Sequence, residues 1–313
     1  GVGNATGEVR SVMKRLIACV LLSGLLCAPG FAAEEEVDYV ALAALLMRNG
    51  ETERAAEALT NVDTSAEGVD LIQYHTVRGL IALEQQALQV AAEAFDAAIA
   101  AGQTDPLIHL YRAQALFGLE RYADAVAALD AAGSAVDGLS GAWLLRAHAR
   151  WMLGDKQAAL DSLSEAGNRF PGNTSFQRRQ VFYLIEAGLY QEAADLGRDY
   201  LKRADAKAED YAAIGSALRR SKSFAEALGF LEAARLKFPD DSSIAKALAQ
   251  TWLEQGNPLA AAEVMAAQAE REPDLLSEAA ELYRRAGRTS QALNLNARVT
   301  DPKRKLKQRV GLW

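Results

Sequence analysis

The chain has 313 residues, half of them hydrophobic, and a formal net charge of −7 at pH 7. An acidic balance is unfavourable for general nucleic-acid binding, because the phosphate backbone carries the same sign of charge. The hydrophobic residues are largely alanine and leucine with few β-branched runs, a composition that favours helices over strands.

The first 32 residues differ in character from the rest of the chain. Residues 1–12 are polar and precede Met13, so we expect an upstream extension or a remnant of expression there. From Met13, two basic residues, an apolar run over residues 16–27 and the small residues Gly30 and Ala32 predict a signal peptide. It would span residues 13–32 and be cleaved after Ala32, which predicts export to the periplasm. The apolar run is too short to cross a bilayer comfortably, so no stable membrane span is expected.

A lipid anchor is the alternative interpretation of this leader, because its two cysteines lie within it. Hardly any apolar segment precedes Cys19, however, and Leu26 stands before Cys27 where a small residue is required. A cleaved signal peptide is therefore favoured over a lipid anchor. The mature chain would carry no cysteine and no disulfide. Its net charge would be −9, because the first 32 residues hold three basic residues and one acidic residue.

Alanine recurs through the remaining chain with a period of 34 residues over five consecutive steps. These register alanines, with one further member at each end, are Ala55, Ala91, Ala125, Ala159, Ala193, Ala227, Ala261 and Ala292. Twelve residues before each stands a second, mostly small residue: Ala43, Gly79, Ala113, Ala147, Val181, Gly215, Ala249 and Ala280. A period of this length is typical of a solenoid. Two small residues per repeat predict two helices that approach closely.

Signals for helix ends stand at fixed offsets from the register alanines. Glycine occurs five residues before five of them, where a first helix would end in a left-handed residue: Gly50, Gly154, Gly188, Gly256 and Gly287. Asp155 and Asn257 then predict N-caps, and Pro258 the first helical position. Twelve residues after three alanines, proline ends the second helix, at Pro171, Pro239 and Pro273. The residue four positions after each register alanine is mostly large and apolar, which predicts an apolar stripe on the second helix. Gly197 and Asn296 are the exceptions.

This pattern resembles the tetratricopeptide repeat (TPR). The repeat that matches best holds Trp143, Ala147, Gly154, Ala159, Leu163, Ala166 and Pro171. The resemblance implies an all-α, right-handed superhelical solenoid of about eight helix-turn-helix repeats. We expect it to fill residues 33–306 as one domain without an internal boundary, with residues 307–313 beginning a further helix.

In this family the first helix of each repeat lines a concave groove, through residues about 15, 11 and 8 positions before the alanine. Carried onto this chain, those positions first give Leu110, Gln114, Phe117, Leu144, His148 and Trp151. They continue with Arg178, Phe182, Ile185, Arg219, Lys246 and Arg284, beside which lie Arg220 and Arg285. The predicted partner-binding residues are Gln114, Phe117, His148, Trp151, Arg178, Phe182, Arg219, Arg220 and Lys246. Such a surface suits a protein or peptide with a hydrophobic anchor and an acidic flank.

A purely structural interpretation of these residues stays open. Trp151 and Phe182 would then pack between neighbouring helices. The basic residues would be solvated, with Glu186, Glu254 and Glu281 interspersed to neutralise them.

Few residues have the type and spacing that catalysis requires. The three histidines are spread over successive repeats, without carboxylates at metal-ligand spacing. His75 and His109 occupy the position of Trp143 and Tyr211, which predicts packing, whereas His148 would offer a hydrogen bond in the groove. We therefore expect no enzymatic activity, no cofactor and no metal.

The resemblance implies a periplasmic scaffold or adaptor that binds a protein or peptide and not nucleic acid. Residues 296–310 look somewhat like TPR proteins that accompany TonB, ExbB and ExbD. An envelope assembly or TonB-type transport system is therefore the expected setting. The alternative is carbohydrate or peptidoglycan binding, with the rings of Phe117, Trp151 and Phe182 stacking on sugars.

Overall fold

A computed structural model describes residues 37–203 and 205–299. The predicted segments 1–12, 13–32 and 307–313 lie outside these residues, as do Cys19 and Cys27. The signal peptide, its cleavage after Ala32 and the further helix therefore stay predictions.

The described residues divide into two compact units, between Phe170 and Pro171. They form sixteen α-helices and two 3-10 turns, Gly133–Val136 and Pro273–Leu275, and contain no strand. The first unit contains α1 (Tyr39–Arg48), α2 (Thr52–Leu59), α3 (Leu71–Glu84), α4 (Leu88–Ala100), α5 (Leu107–Gly118), α6 (Tyr122–Ala132), α7 (Ser140–Met152) and α8 (Lys156–Arg169). The second contains α9 (Ser175–Glu186), α10 (Tyr190–Arg203), α11 (Ala208–Arg220), α12 (Phe224–Lys237), α13 (Ser242–Glu254), α14 (Pro258–Ala269), α15 (Leu276–Arg285) and α16 (Thr289–Arg298).

The helices pack as consecutive pairs, each odd-numbered helix against the next even-numbered one, and within each unit every pair also packs on its neighbour. The predicted all-α array of eight helical pairs is thereby confirmed. The single uninterrupted domain expected over residues 33–306 stays a prediction. Each repeat of a solenoid contacts only its neighbours. The buried apolar residues accordingly form one cluster in each unit.

The register alanines lie at the contacts between paired helices. All eight are at most 1 % exposed, and the residues twelve positions before them are buried as well. At Gly79 a Cβ atom would lie 2.4 Å from Cε1 of Phe95, and at Gly215 it would lie 2.3 Å from Cδ2 of Leu231. The large side chain of the second helix thus occupies the space that a side chain on the first helix would need.

The two departures from the apolar stripe have different structural outcomes. A Cβ atom at Gly197 would lie 2.6 Å from Cγ1 of Ile214, so this isoleucine of α11 fills the space beside α10. In the eighth repeat Leu295 is buried next to Asn296. The Oδ1 atom of Asn296 is buried and has no hydrogen-bond partner among the described residues. The fifth repeat is therefore well packed, whereas the eighth contains an unsatisfied polar atom.

The turn between the two helices of each repeat uses a left-handed residue, five positions before the register alanine. The five glycines predicted there have φ between +72° and +83°. The other three repeats place Gln86, Glu120 and Lys222 in this conformation, with φ of +61°, +61° and +66°. A Cβ atom makes this region unfavourable, so these three turns are strained. The predicted N-caps are confirmed, since Asp155 accepts from the Ala158 amide and Asn257 from the Ala260 amide.

We expect Glu120→Gly to raise the free energy of unfolding by about 1 kcal/mol, because glycine adopts a positive φ without the Cβ penalty. Glu120 is exposed and makes no ion pair within the described part of the chain, so little else is lost. Urea denaturation measures the change. The matched control is Gly154→Ala, which should lower the stability by a similar amount. Destabilisation by both substitutions would contradict the strain at Glu120.

We expect Ala159→Phe to lower the free energy of unfolding by about 1–3 kcal/mol or more, because Ala159 is fully buried between α7 and α8 and a larger side chain would push the helices apart. Asp161→Ala is the control on the same helix, at an exposed position. Its effect should stay within about 0.5 kcal/mol. Equal shifts of the denaturation midpoint would show that the register is misassigned.

Candidate functional site

In the first unit, α5 and α7 carry the aromatic part of the predicted surface. Phe117 and Trp151 are half-buried. The Phe117 ring lies 5.3 Å from the Tyr122 ring and 6.3 Å from the His148 ring, centroid to centroid. The Lys156 ammonium lies 5.4 Å from the centre of the Trp151 ring. These aromatic side chains therefore both pack within the unit and keep part of their surface exposed.

Two residues of this surface lie deeper than the sequence predicted. Leu110 is 1 % exposed and belongs to the core of the first unit. The expectation that it lines the groove is therefore wrong, because its side chain is enclosed by neighbouring helices. His148 is 7 % exposed, so any contact with a partner is limited to a small part of its ring.

Gln114 on α5 has an unsatisfied acceptor. Its side chain is half-buried, and its Oε1 atom is buried without a hydrogen-bond partner among residues 37–203 and 205–299. Leaving a buried carbonyl oxygen without a donor costs free energy. Gln114 and Phe117 are three residues apart in one helix and so share a face. This face combines a partly exposed ring with an acceptor that lacks a donor.

The other two histidines are half-buried in the first unit. Burial lowers the pKa of His75, and the nearby Arg78 charge lowers it further. Burial and the Arg112 charge lower the pKa of His109 in the same way. Both imidazoles are therefore neutral at pH 7, in agreement with the packing role predicted for them.

In the second unit, Arg178 belongs to a network that joins α9, α10 and α11. Its Nε donates to Oδ1 of Asp210 at 2.7 Å, and its Nη2 donates to Oε2 of Glu209 at 3.3 Å. Asp210 is 3 % exposed and also accepts from the Tyr200 hydroxyl and the Lys207 amide. Burial, and then the Asp210 charge, raise the pKa of Tyr200 to about 12. The guanidinium of Arg178 is thus held by carboxylates of its own chain.

Asp210 and Tyr200 were missed by the sequence analysis. They lie 32 and 22 residues after Arg178. This spacing does not indicate a contact with Arg178 unless the packing of two adjacent repeats is known. Arg178 also covers the half-buried Phe182, with its guanidinium carbon 4.8 Å from the ring centre.

Most of the later basic residues are also paired within the second unit. Arg219 forms an ion pair with Glu254, and Arg284 pairs with Glu281 at 2.6 Å. Arg220 donates to the Tyr190 hydroxyl at 2.8 Å and lies over its ring. Lys246 is exposed and makes no ion pair in the described part of the chain. Internal carboxylates therefore neutralise much of the predicted basic surface.

The two units differ in charge. The described part of the first unit holds 9 Lys and Arg against 18 Asp and Glu, a net of −9, whereas the second holds 17 against 18, a net of −1. Among the described residues no group of three or more His, Cys, Asp or Glu side chains is placed to bind a metal ion. None of the helices described above is long and apolar enough to cross a bilayer.

We expect Asp210→Asn to lower the free energy of unfolding by about 2 kcal/mol, because Arg178 would lose its buried counter-ion. Arg178 is itself a quarter exposed, which moderates the cost. Glu209→Gln is the control, because Glu209 touches the same guanidinium but is mostly exposed. Its effect should stay within about 0.5 kcal/mol. Urea denaturation at pH 7 compares the two, and equal effects would contradict a structural role for Asp210.

Comparison with known proteins agrees with this architecture. The chain matches the tetratricopeptide repeat family over residues 76–135, in the first unit, and residues 212–274, in the second. The C-terminal part of a TPR repeat-containing protein from Cytophaga hutchinsonii has a similar fold, with a TM-score of 0.60 and 16 % identity over 74 % of this chain and 97 % of that chain. PilW, a widely conserved type IV pilus biogenesis factor, has a TM-score of 0.51 and 18 % identity over 69 % of this chain and 100 % of its own. None of the curated proteins matches the chain. The 34-residue register, the paired helices with alanine at their contacts and the family match in each unit agree on tetratricopeptide repeats, which the family model places at residues 76–135 and 212–274.

Proposed function

We propose that this protein is a non-catalytic scaffold that binds a protein or peptide partner through the first helices of its repeats. TPR proteins are typically scaffolds of this kind. The observation that carries the proposal is the face of α5, where the Phe117 ring and the polar Gln114 side chain are both partly exposed. A peptide can contact both, with an apolar side chain against the ring and a backbone group hydrogen-bonded to the exposed part of the Gln114 amide.

Carbohydrate or peptidoglycan binding through the aromatic residues is the alternative, and two contacts weigh against it. A sugar stacks on an open ring face. The Lys156 ammonium lies over the Trp151 ring at 5.4 Å, and the Arg178 guanidinium lies over the Phe182 ring at 4.8 Å. Each cation covers one face that a sugar would use, so a peptide is the favoured ligand.

The partner that we propose is neutral or basic, in contrast to the acidic flank expected from the sequence. Arg178, Arg219 and Arg284 bind carboxylates of their own chain. The first unit, which carries the α5 face, has a net charge of −9 over its described residues and would repel an acidic peptide.

The proposed setting is the periplasm, as a component of an envelope assembly or a TonB-type transport system. The signal-peptide pattern of residues 13–32 supports export. The link to TonB-type systems is supported by residues 296–310 alone. Fractionation of cells that express the full chain, with mass spectrometry of the mature N-terminus, tests the export step.

Site-specific photo-crosslinking in the native envelope tests partner binding. A photoreactive phenylalanine analogue at position 117, in the full-length chain, should crosslink to a discrete protein. Adding Gln114→Ala should reduce the crosslinking yield about fivefold, the equivalent of one lost hydrogen bond. Trp151→Ala should affect the yield less than Gln114→Ala does, because Lys156 already covers the tryptophan ring.

The control places the same analogue at position 161, which is exposed on the second helix α8. It should give no comparable product. Equal yields from both positions, or a yield that Gln114→Ala leaves unchanged, would contradict the proposed surface. Recovery of a glycan in a Trp151-dependent manner would favour the carbohydrate alternative.

A further inference from the structure

Leu236 departs from the repeat pattern at an exposed position. Nine residues after the register alanine, the other described repeats carry polar residues or alanine, all exposed: Thr64, Ala100, Ser134, Asn168, Lys202 and Glu270. The sixth repeat has leucine there, and its side chain is 86 % exposed, more than any other large hydrophobic residue described. A single exposed leucine is common on protein surfaces and does not by itself indicate an interaction site. The neighbouring surface must therefore also be apolar for Leu236 to indicate one.

Leu236 borders an open hollow of about 450 Å³ on the second unit. Pro239, Leu248 and Val264 give this hollow an apolar lining. Leu248 and Val264 also belong to the core of the unit, so the lining is firmly supported from behind. A protruding apolar side chain and an apolar hollow therefore lie next to each other on one patch.

The rim of the hollow carries charged residues of both signs, and some of them form no ion pair with another described residue. Glu232 and Arg235 lie on α12 beside Leu236, and neither makes an ion pair with another described residue. Arg271, also at the rim, pairs with Asp240 at 3.1 Å. A rim that carries one unpaired acidic residue and one unpaired basic residue is electrostatically complementary to a second copy of itself. In a two-fold contact the same patch meets itself, so an acidic residue of one copy can face a basic residue of the other.

We propose that two copies of this chain associate through this patch, with Leu236 of each copy inserted into the hollow of the other. Glu232 of one copy pairs with Arg235 of its partner around the inserted leucine. The patch lies mainly on α12 and α14, with Leu248 of α13 in its lining, whereas the peptide surface argued above lies on α5 in the first unit. Self-association and peptide binding are therefore independent, and either can fail without the other.

Sedimentation velocity of the full-length protein over a range of concentrations tests this proposal. The wild type should show a concentration-dependent monomer–dimer equilibrium. Leu236→Gln should weaken dimerisation at least about tenfold, the effect of removing one interface anchor. Leu293→Gln is the matched control, because Leu293 is 52 % exposed on α16 of the same unit and lies outside the patch. Its dimerisation constant should equal that of the wild type.

Charge reversal tests the geometry of the contact. Arg235→Glu alone should weaken the dimer by placing two carboxylates opposite each other, and the double variant Glu232→Arg, Arg235→Glu should restore much of the affinity. Circular dichroism melts should show all variants folded, since the substituted side chains lie at the surface. A wild type that stays monomeric at every concentration would overturn the proposal. So would a dimer that Leu236→Gln leaves intact, or a double variant no better than Arg235→Glu.

Discussion

The close approach of two helices at one pair of small residues determines the structure of every repeat. The register alanines are at most 1 % exposed, and where the first helix has glycine instead of alanine, the space passes to a side chain of the second helix. Gly79 thus accommodates Phe95, and Gly215 accommodates Leu231. Gly197 accommodates Ile214 from the next repeat in the same way. At these three contacts a larger side chain fills the space that glycine leaves, as expected for interiors packed to a constant density.

This constraint explains which features the sequence could predict. The buried alanines, the glycine turns and the caps at Asp155 and Asn257 are local requirements, and the residue types reveal them. Gln86, Glu120 and Lys222 adopt the same left-handed turn, but their residue types do not require it. Their position in the register, five residues before the register alanine, indicates the conformation instead, because the same position has a positive φ in the other repeats. The register thus carries more information about these three turns than the local sequence does.

The candidate site was less predictable, because it depends on side chains that meet across repeats. The register placed Phe117, Trp151 and Phe182 on the first helices, and all three are partly exposed. The register could not show that His148 would be almost enclosed. It also could not show that Arg178 would bind Asp210, 32 residues further along the chain. The presence of a basic residue on a predicted surface therefore does not show that its positive charge is free to bind a ligand. Its ion-pair partners on the neighbouring helix must be known first.

These internal ion pairs also limit how a partner can gain affinity. An arginine held by a carboxylate of its own chain would have to give up that contact before binding an acidic ligand, so the net gain would be small. Apolar burial against a partly exposed ring such as Phe117 carries no such cost. The attraction that we propose at the first helices is therefore mainly apolar. The acidic surface of the first unit would then exclude partners of the same charge, which would make it a source of specificity more than of affinity.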